Sequence, residues 1–292
     1  MQSDLGSSAL HVSVSSFLSP LHWCHRNPYL KDWKDAEFKE AAENLVAHRS
    51  SQNAVSLDGL AWKDKGSKRF DAAPPLSKCH SLSRYPPQDP QGSDGGKWLC
   101  SLDSLPDSCI IYSLGSNAEF SFEYDMVEST GCEVYSFDCT VSENEERFPK
   151  DLHEKGMGRI HFYPWCVGHS GGLSGPSYFS ISELAQRLGH SKIDLLKMDV
   201  EGYEYRVVQD VFADALRGEG LAFLPMQISF ELHWYSYLVS NATGLNSETG
   251  LSAGDMQIFW MQLSDMGYVP VSRENNYVWG LAAEFTVVRA FC

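Results

Sequence analysis

The stretch "IDLLKMDVEGYEYRVVQDV", Ile193 to Val211, carries the key to the fold. A largely apolar run leads into Asp199, and Glu201, Gly202 and Glu204 follow at once. A strand buried on both faces reads as a near-continuous apolar run. The carboxyl end of such a strand is where ligand sites lie in an open α/β sheet. The residues after the acids, "EYRVVQDVFADAL", return to helical spacing. The unit is therefore a strand, an acidic turn and a helix.

The same unit repeats on either side. "CIIYSLG" (109–115), "EVYSFD" (133–138) and "RIHFYPWCVG" (159–168) read as three earlier strands, and "MQISFELHW" (226–234) as a fifth after the quoted one. Helical patterns separate them. "AEFSFEYDMVEST" stops at Gly131, "SISELAQRLGH" opens with Ser180 and Glu183 spaced as a capping box, and "DMQIFWMQLSDMG" ends at Gly267. "YVPVSRE" and "EFTVVRAF" close the chain with no helix between them. Alternation of this kind predicts a mostly parallel sheet covered on both faces. The final pair predicts one antiparallel strand near an edge. The expected fold is thus α/β, with a seven-stranded, mostly parallel sheet and one antiparallel strand.

Residues 1–98 read differently. "DAAPPLS" and "RYPPQDPQGSDGG" have the Pro and Gly density of loop or linker. One amphipathic helix, "YLKDWKDAEFKEAAENLVAHR", packs on the main domain in this reading. The expected division is an extension over 1–98 and a main domain over 99–292.

Composition narrows the function. Hydrophobic residues make up 43%, an ordinary globular share. Acids outnumber bases 38 to 23, a formal charge of −15, which argues against nucleic acid as partner. A small or neutral substrate is compatible with that charge. No apolar run reaches the length of a transmembrane helix. The first residues make a poor signal peptide. The compartment stays open between the cytoplasm and a trimmed lumenal or secreted segment. Asn241-Ala242-Thr243 is a glycosylation sequon. The sequence does not specify an oligomeric state.

Eight cysteines without CxxC pairs read against both a disulfide scaffold and a structural zinc site. His22, Cys24 and His25 cluster, but no second cluster stands at matching spacing. No metal site is predicted. Cys100 and Cys109 are either bridged or a pair of buried thiols.

At the first strand-to-helix turn, Gly115 lets the backbone pass close to a ligand, and Ser116 with Glu119 reads as a helix cap. Asp138 ends the second strand 23 residues after Gly115, the place where dinucleotide-type folds hold a ribose diol. A pyrophosphate wants several Gly amides. This turn offers one Gly and then Glu119, which opposes a dianion and tolerates a cation. S-adenosylmethionine has a ribose diol, a sulfonium and no phosphate. Acids at three strand ends suit it better than a phosphate.

These residues carry a resemblance. "IDLLKMDVEGYE" resembles the strand-four signature of FkbM-type S-adenosylmethionine-dependent methyltransferases, and "DGGKWLC…CIIYSLGSNAEFSFE…GCEVYSFD" is similar to methyltransferase-like proteins related to that group. The resemblance covers residues 94–292. It implies a Rossmann-like class I methyltransferase fold. It implies that Gly115, Ser116 and Asn117 line the methionine and ribose of the cofactor. Asp138 would bind the ribose hydroxyls, and Trp165 and Cys166 would border the adenine. Asp199 and Glu201 would sit beside the methyl group and the substrate. The chain departs from many such enzymes at Ser113, where they carry an acid, and at Asn117, where they often carry a second Gly.

Asp199 and Glu201 are accordingly candidate catalytic groups that orient or deprotonate a nucleophile. Capping the following helix is the other reading of Glu201. His233 shares a strand face with Glu231; it is either a base near neutral pH or a hydrogen-bonded structural residue. The expected activity is O-methylation of a small-molecule or carbohydrate hydroxyl by direct displacement. The rival readings are a catalytically silent cofactor-binding module and an NAD-dependent oxidoreductase. The single Gly of the turn and the lack of a Tyr-xxx-Lys pair speak against the last.

Overall fold

The computed structural model describes residues 24, 27–54, 70, 73–87, 96–168, 178–218, 220–234, 253–276 and 282–292. His22, His25 and the sequon at 241–243 lie outside them. After a helical turn at Pro28–Leu30, the elements run in chain order: α1 (Asp35–Ala54), β1 (Leu82–Tyr85), β2 (Lys97–Cys100), β3 (Ile110–Leu114), α2 (Ser121–Ser129) and β4 (Glu133–Phe137). Next come α3 (Leu152–Lys155), β5 (Ile160–Tyr163), β6 (Cys166–Val167), β7 (Tyr178–Phe179), α4 (Ile181–Leu188) and β8 (Leu195–Met198). The last are α5 (Glu204–Leu216), β9 (Gln227–His233), α6 (Ala253–Asp265), β10 (Tyr268–Asn275) and β11 (Ala282–Arg289).

A seven-stranded sheet holds the order β10-β11-β9-β8-β3-β4-β5. Five strands, β9 to β5 in that order, pair in parallel. β11 runs antiparallel to both β9 and β10, so it is the antiparallel strand, inserted one place in from the edge. Strand alternation divides the core in two. Tyr112, Leu114, Leu196, Met198 and Phe230 face α4, α5 and α6, where they meet Leu184, Val207, Val211, Phe259 and Trp260. Ile111, Val134 and Leu195 face the other way, against Phe122, Met126 and Val127 of α2. Order reverses between β3, whose neighbours are β4 and β8, so the loops after these strands diverge and leave a crevice at their carboxyl ends.

Several sequence expectations need correction. "RIHFYPWCVG" is not one strand: it breaks at Pro164, which has no N–H for a ladder, and β6 leaves the main sheet to pair with β7. The stretch taken as linker contains β1, which pairs antiparallel with β2. The line drawn at 98/99 falls inside β2. That strand lies over β9 and β11: Ser229 Oγ and Thr286 Oγ1 both donate to the Trp98 carbonyl, and Gln227 Oε1 accepts from Cys100 N–H at 2.8 Å. Tyr29, Leu30, Trp33 and Phe38 form a third apolar cluster with Val269, Val271 and Val288. Asn27 Nδ2 donates to the carbonyls of Met226 and Arg289 at 2.9 and 2.8 Å.

All eight cysteines are paired, contrary to the reading of their number: Cys24–Cys292, Cys79–Cys100, Cys109–Cys132 and Cys139–Cys166. Cys100 and Cys109 are bridged, but not to each other. Cys109 and Cys132 stand just before β3 and β4, and parallel pairing sets their Cα atoms 4.4 Å apart. Cys24, the cysteine of the histidine-flanked cluster, is committed to Cys292 and offers no thiolate.

Candidate active site

A cleft of about 690 Å³ opens at the carboxyl ends of β3, β4 and β8. Its wall includes Gly115, Ser116, Asn117, Asp138, Trp165 and Cys166, together with Asp199 and Glu201. Those eight candidates from the sequence therefore meet in one place. His233 lies behind the wall rather than on it, and Glu231 takes its place at the surface of the cleft.

The turn after β3 forms because Gly115 sits at φ +77°, tight against the turn after β8. A Cβ there would stand 2.8 Å from the Asp199 carbonyl carbon and closer still to its oxygen. Lys197, nearly buried in β8, donates to the Leu114 and Gly115 carbonyls at 3.3 and 2.5 Å and ties the two turns together. Asn117 and Ala118 also have positive φ, 47° and 61°, and they delay the helix to Ser121. The expected cap is accordingly absent: Ser116 Oγ is buried with no hydrogen-bond partner, and Glu119 accepts instead from Ser121 N–H and Oγ–H at 2.9 and 2.8 Å. The acid missing at Ser113 is supplied from α2, whose buried Glu123 accepts from Ser113 Oγ at 2.5 Å.

Asp138 closes the opposite side. Its Oδ2 accepts from Asn117 N–H at 2.7 Å, and its Oδ1 accepts from Thr140 N–H and Oγ1–H at 2.9 and 2.6 Å. A carboxylate oxygen has two lone pairs, so Oδ2 keeps one for a ligand hydroxyl. Arg147 reinforces the loop by donating to Asn117 Oδ1 at 2.6 Å. Trp165 stacks with Phe137 and packs at a tilt against Tyr163, with ring centroids 6.3 and 4.5 Å away. That aromatic wall and the adjoining Cys139–Cys166 bridge line the same end of the cleft.

The far end is a charge network. Lys97, fully buried on β2, donates to Asp199 Oδ2 at 3.0 Å and to Glu284 Oε1 at 2.6 Å. Oxygens of Asp199, Glu231 and Glu284 lie within 4.8 Å of one another, and the ammonium bridges the first and the last of them. Burial works to raise the Asp199 pKa, but Lys97, with Lys197 and His233, outweighs it and holds the carboxyl at about 2. Burial drives Glu284 up to about 8, with Lys97 opposing. His233 is buried, which by itself lowers its pKa, yet Glu204, Glu231 and Asp199 carry it up to about 10. Its Nδ1 lies 3.1 Å from Glu204 Oε1, and its Nε2 lies 3.5 Å from both Glu201 and Glu231. His233 is therefore an imidazolium at neutral pH. It binds acids together and has no lone pair with which to act as the expected base.

Glu201 does not cap α5. It sits at φ +54°, a strained conformation for a non-glycine residue, with its side chain 64% exposed. Glu204 folds back from the first residue of the helix and fixes the preceding turn, accepting from Val200 and Gly202 N–H at 3.0 and 3.1 Å. Sequence reasoning missed Lys97, Thr140, Tyr178 and Tyr203 in or beside the cleft. Lys97, inside "DGGKWLC", and Tyr203, inside "VEGYE", both stand in motifs that could have pointed to them.

With this geometry in view, a family model described as a methyltransferase domain matches residues 23–289. The chain belongs to that methyltransferase domain family. The match takes in residues 23–96 of the segment before β2. Among curated relatives, the chain is 30% identical over 164 residues to "Probable methyltransferase-like protein 24" of Rattus norvegicus, covering 50% of this chain and 41% of that protein. It thus spans about two fifths of the relative's length. Among solved structures it is similar to a Methanococcus jannaschii fibrillarin pre-rRNA processing protein, at 11% identity and a TM-score of 0.42 over 73% of this chain and 83% of that one. It is also similar to M. capricolum TrmK, solved with S-adenosyl-homocysteine, at 12% identity and a TM-score of 0.37 over 64% and 65%.

Proposed function

We propose that the chain is an S-adenosylmethionine-dependent methyltransferase acting on a neutral or cationic small molecule. The observation that carries this reading is the cleft itself. Gly115 lies against Asp199, Asp138 keeps a free lone pair, and Ser116 Oγ is buried without a partner at the same surface. A nucleoside ligand with hydroxyls fits this donor and acceptor set, and the Trp165 wall suits a flat base. When bound, the cofactor supplies a methyl group activated on a sulfonium. The cleft wall carries Glu119, Asp138, Asp199, Glu201 and Glu231 and, among the described residues, no Lys, Arg or His. Such a wall favours a sulfonium and disfavours phosphates. That argues against a pyrophosphate cofactor and against anionic or nucleic-acid acceptors.

The fourth-strand motif supports kinship with FkbM-type enzymes, and with it a hydroxyl of a small molecule or sugar as acceptor. Positioning dominates the chemistry in this reading, since direct displacement needs aligned atoms more than strong basicity. Four disulfides favour an oxidising compartment over the cytoplasm. Calorimetric titration with S-adenosylmethionine, S-adenosylhomocysteine and NAD tests the proposal. Binding of the first two and not the third is expected. Binding of NAD alone would overturn it, and cofactor binding without methyl transfer to any acceptor in a broad panel would favour the silent module.

A further inference from the structure

Three acids stand in a row across three strands. Parallel pairing sets Met198 beside Phe230, so Asp199 and Glu231 follow side by side, and antiparallel pairing sets Glu231 opposite Glu284. Lys97 reaches the two outer acids and leaves the middle one. Glu231 Oε1 accepts from Asn276 Nδ2 at 3.1 Å, and its Oε2 stands 3.5 Å from His233. Of the row, Asp199 and Glu231 reach the cleft.

Building on the methyltransferase reading above, the geometry points to Glu231 as the carboxylate that takes the acceptor's proton, with Lys97 withholding Asp199 from that role. Protonating Asp199 would break its ion pair with Lys97. His233 has no lone pair to give. Glu201 is largely in water, which stabilises its charge and weakens it as a base. Glu231 is buried and faces the cleft, and its ion pair is the longer one with His233, at 3.5 Å, against 3.0 Å between Asp199 and Lys97. The charged groups facing it are Asp199 from the β8 turn, Glu284 from β11, Lys97 from β2 and His233 from its own strand. Burial and then Asp199 raise its proton affinity, Lys97 and His233 oppose them, and the balance is upward. A proton from the acceptor's O–H or N–H passes to Glu231. The acceptor's lone pair would take up the methyl group that a cofactor held by the Gly115 turn and Asp138 would supply, the carbon–sulfur bonding pair staying on sulfur. Glu231 then loses its proton to water through the cleft.

The probe is sinefungin, which carries an amine where the cofactor carries its methyl sulfonium. Its affinity is compared with that of S-adenosylhomocysteine by calorimetry from pH 5 to 9. The native protein should prefer sinefungin, increasingly so as Glu231 ionises. Glu231→Gln should lose roughly tenfold or more of that preference, the size of a charge-assisted hydrogen bond, and should flatten its pH dependence. Affinity for S-adenosylhomocysteine should stay within about twofold, because that ligand lacks the charge. Glu231→Asp, which keeps the charge on a shorter arm, should restore part of the preference and decides the matter if the Gln variant does not fold. Loss of the preference in Asp199→Asn but not in Glu231→Gln would overturn the assignment, as would a preference that neither variant changes. Failure of the native protein to bind S-adenosylhomocysteine would instead remove the cofactor reading on which the assignment rests.

Discussion

Replacing Gly115 by Ala separates two costs that usually come together. The first is conformational: a side chain at φ +77° pays roughly 1–2 kcal/mol. The second is a collision. The new Cβ would meet the Asp199 carbonyl carbon at 2.8 Å, whereas carbon atoms rest at about 3.5 Å. Relief therefore moves one turn away from the other by about 0.7 Å, and by more at the oxygen. Both turns are anchored by Lys197 and cannot drift independently. Gly189 provides the control. It has nearly the same φ, +72°, at the end of α4, but a Cβ there meets nothing within 4 Å. Gly189→Ala should cost only the conformational share, about 1 kcal/mol, with cofactor affinity unchanged. Gly115→Ala should lose stability beyond that and weaken S-adenosylhomocysteine binding by roughly tenfold, the size of about one lost hydrogen bond as the turn shifts. Denaturant melts and calorimetric titrations of the two variants read both quantities. If Gly115→Ala binds as tightly as Gly189→Ala, the close approach of the β3 and β8 turns does not shape the cofactor site.

Other consequences are open to measurement. Asp138→Ala should reduce S-adenosylhomocysteine affinity by roughly tenfold or more, because it removes a charged acceptor and also frees the Asn117 amide that fixes the loop; unchanged affinity by calorimetry would remove Asp138 from the site. Lys97→Met should cost about 3–5 kcal/mol by leaving the Asp199 carboxylate buried without its cation, and adding Asp199→Asn should recover part of it in denaturant melts. No recovery would mean that Lys97 matters through packing rather than charge. His233 at about 10 and Glu284 at about 8 both bind protons more tightly in the fold than in the free chain. Their contribution is complete below the unfolded values and is lost as pH rises through the folded ones, so stability should fall between about pH 4.5 and 10, Glu284 acting up to about 8 and His233 from about 6.5, by up to ~1.4 kcal/mol per pH unit and proton. A flat profile in denaturant melts over that range would refute the network's charge assignment.

The sheet was legible because its strands announce themselves locally: apolar runs such as "DLLKM" and "QISFEL" bounded by turn residues, with helical spacing between them. Ser180 and Glu183 form the capping box that their spacing predicts. Asp199, Asp138 and Gly115 were legible for a related reason, since a strand's carboxyl end is marked in sequence. What the sequence hid depends on distant pairing. Lys97 meets Asp199 across 102 positions and Glu284 across 187, and no local pattern encodes such a partner. The cysteine partners were hidden in the same way: for Cys109 the sequence left a bridge to nearby Cys100 or a buried thiol open, and strand order puts it beside Cys132. The character of His233 reversed because its charge depends on Glu204, a residue of another element that spacing cannot place beside it.

The Cys24–Cys292 bridge has a consequence beyond stability. It links residues 268 positions apart, and every element of the fold lies on the path between them. The chain between these cysteines is a closed covalent ring. One hydrolysed peptide bond anywhere on that ring opens it without releasing a fragment. Tension applied at the two bridged residues is carried by a sulfur–sulfur bond, and the sheet strands feel none of it. A fold of this kind sheds pieces only after two cuts or after reduction, and its mechanical resistance is set by covalent chemistry before the hydrogen bonds of the ladder are tested.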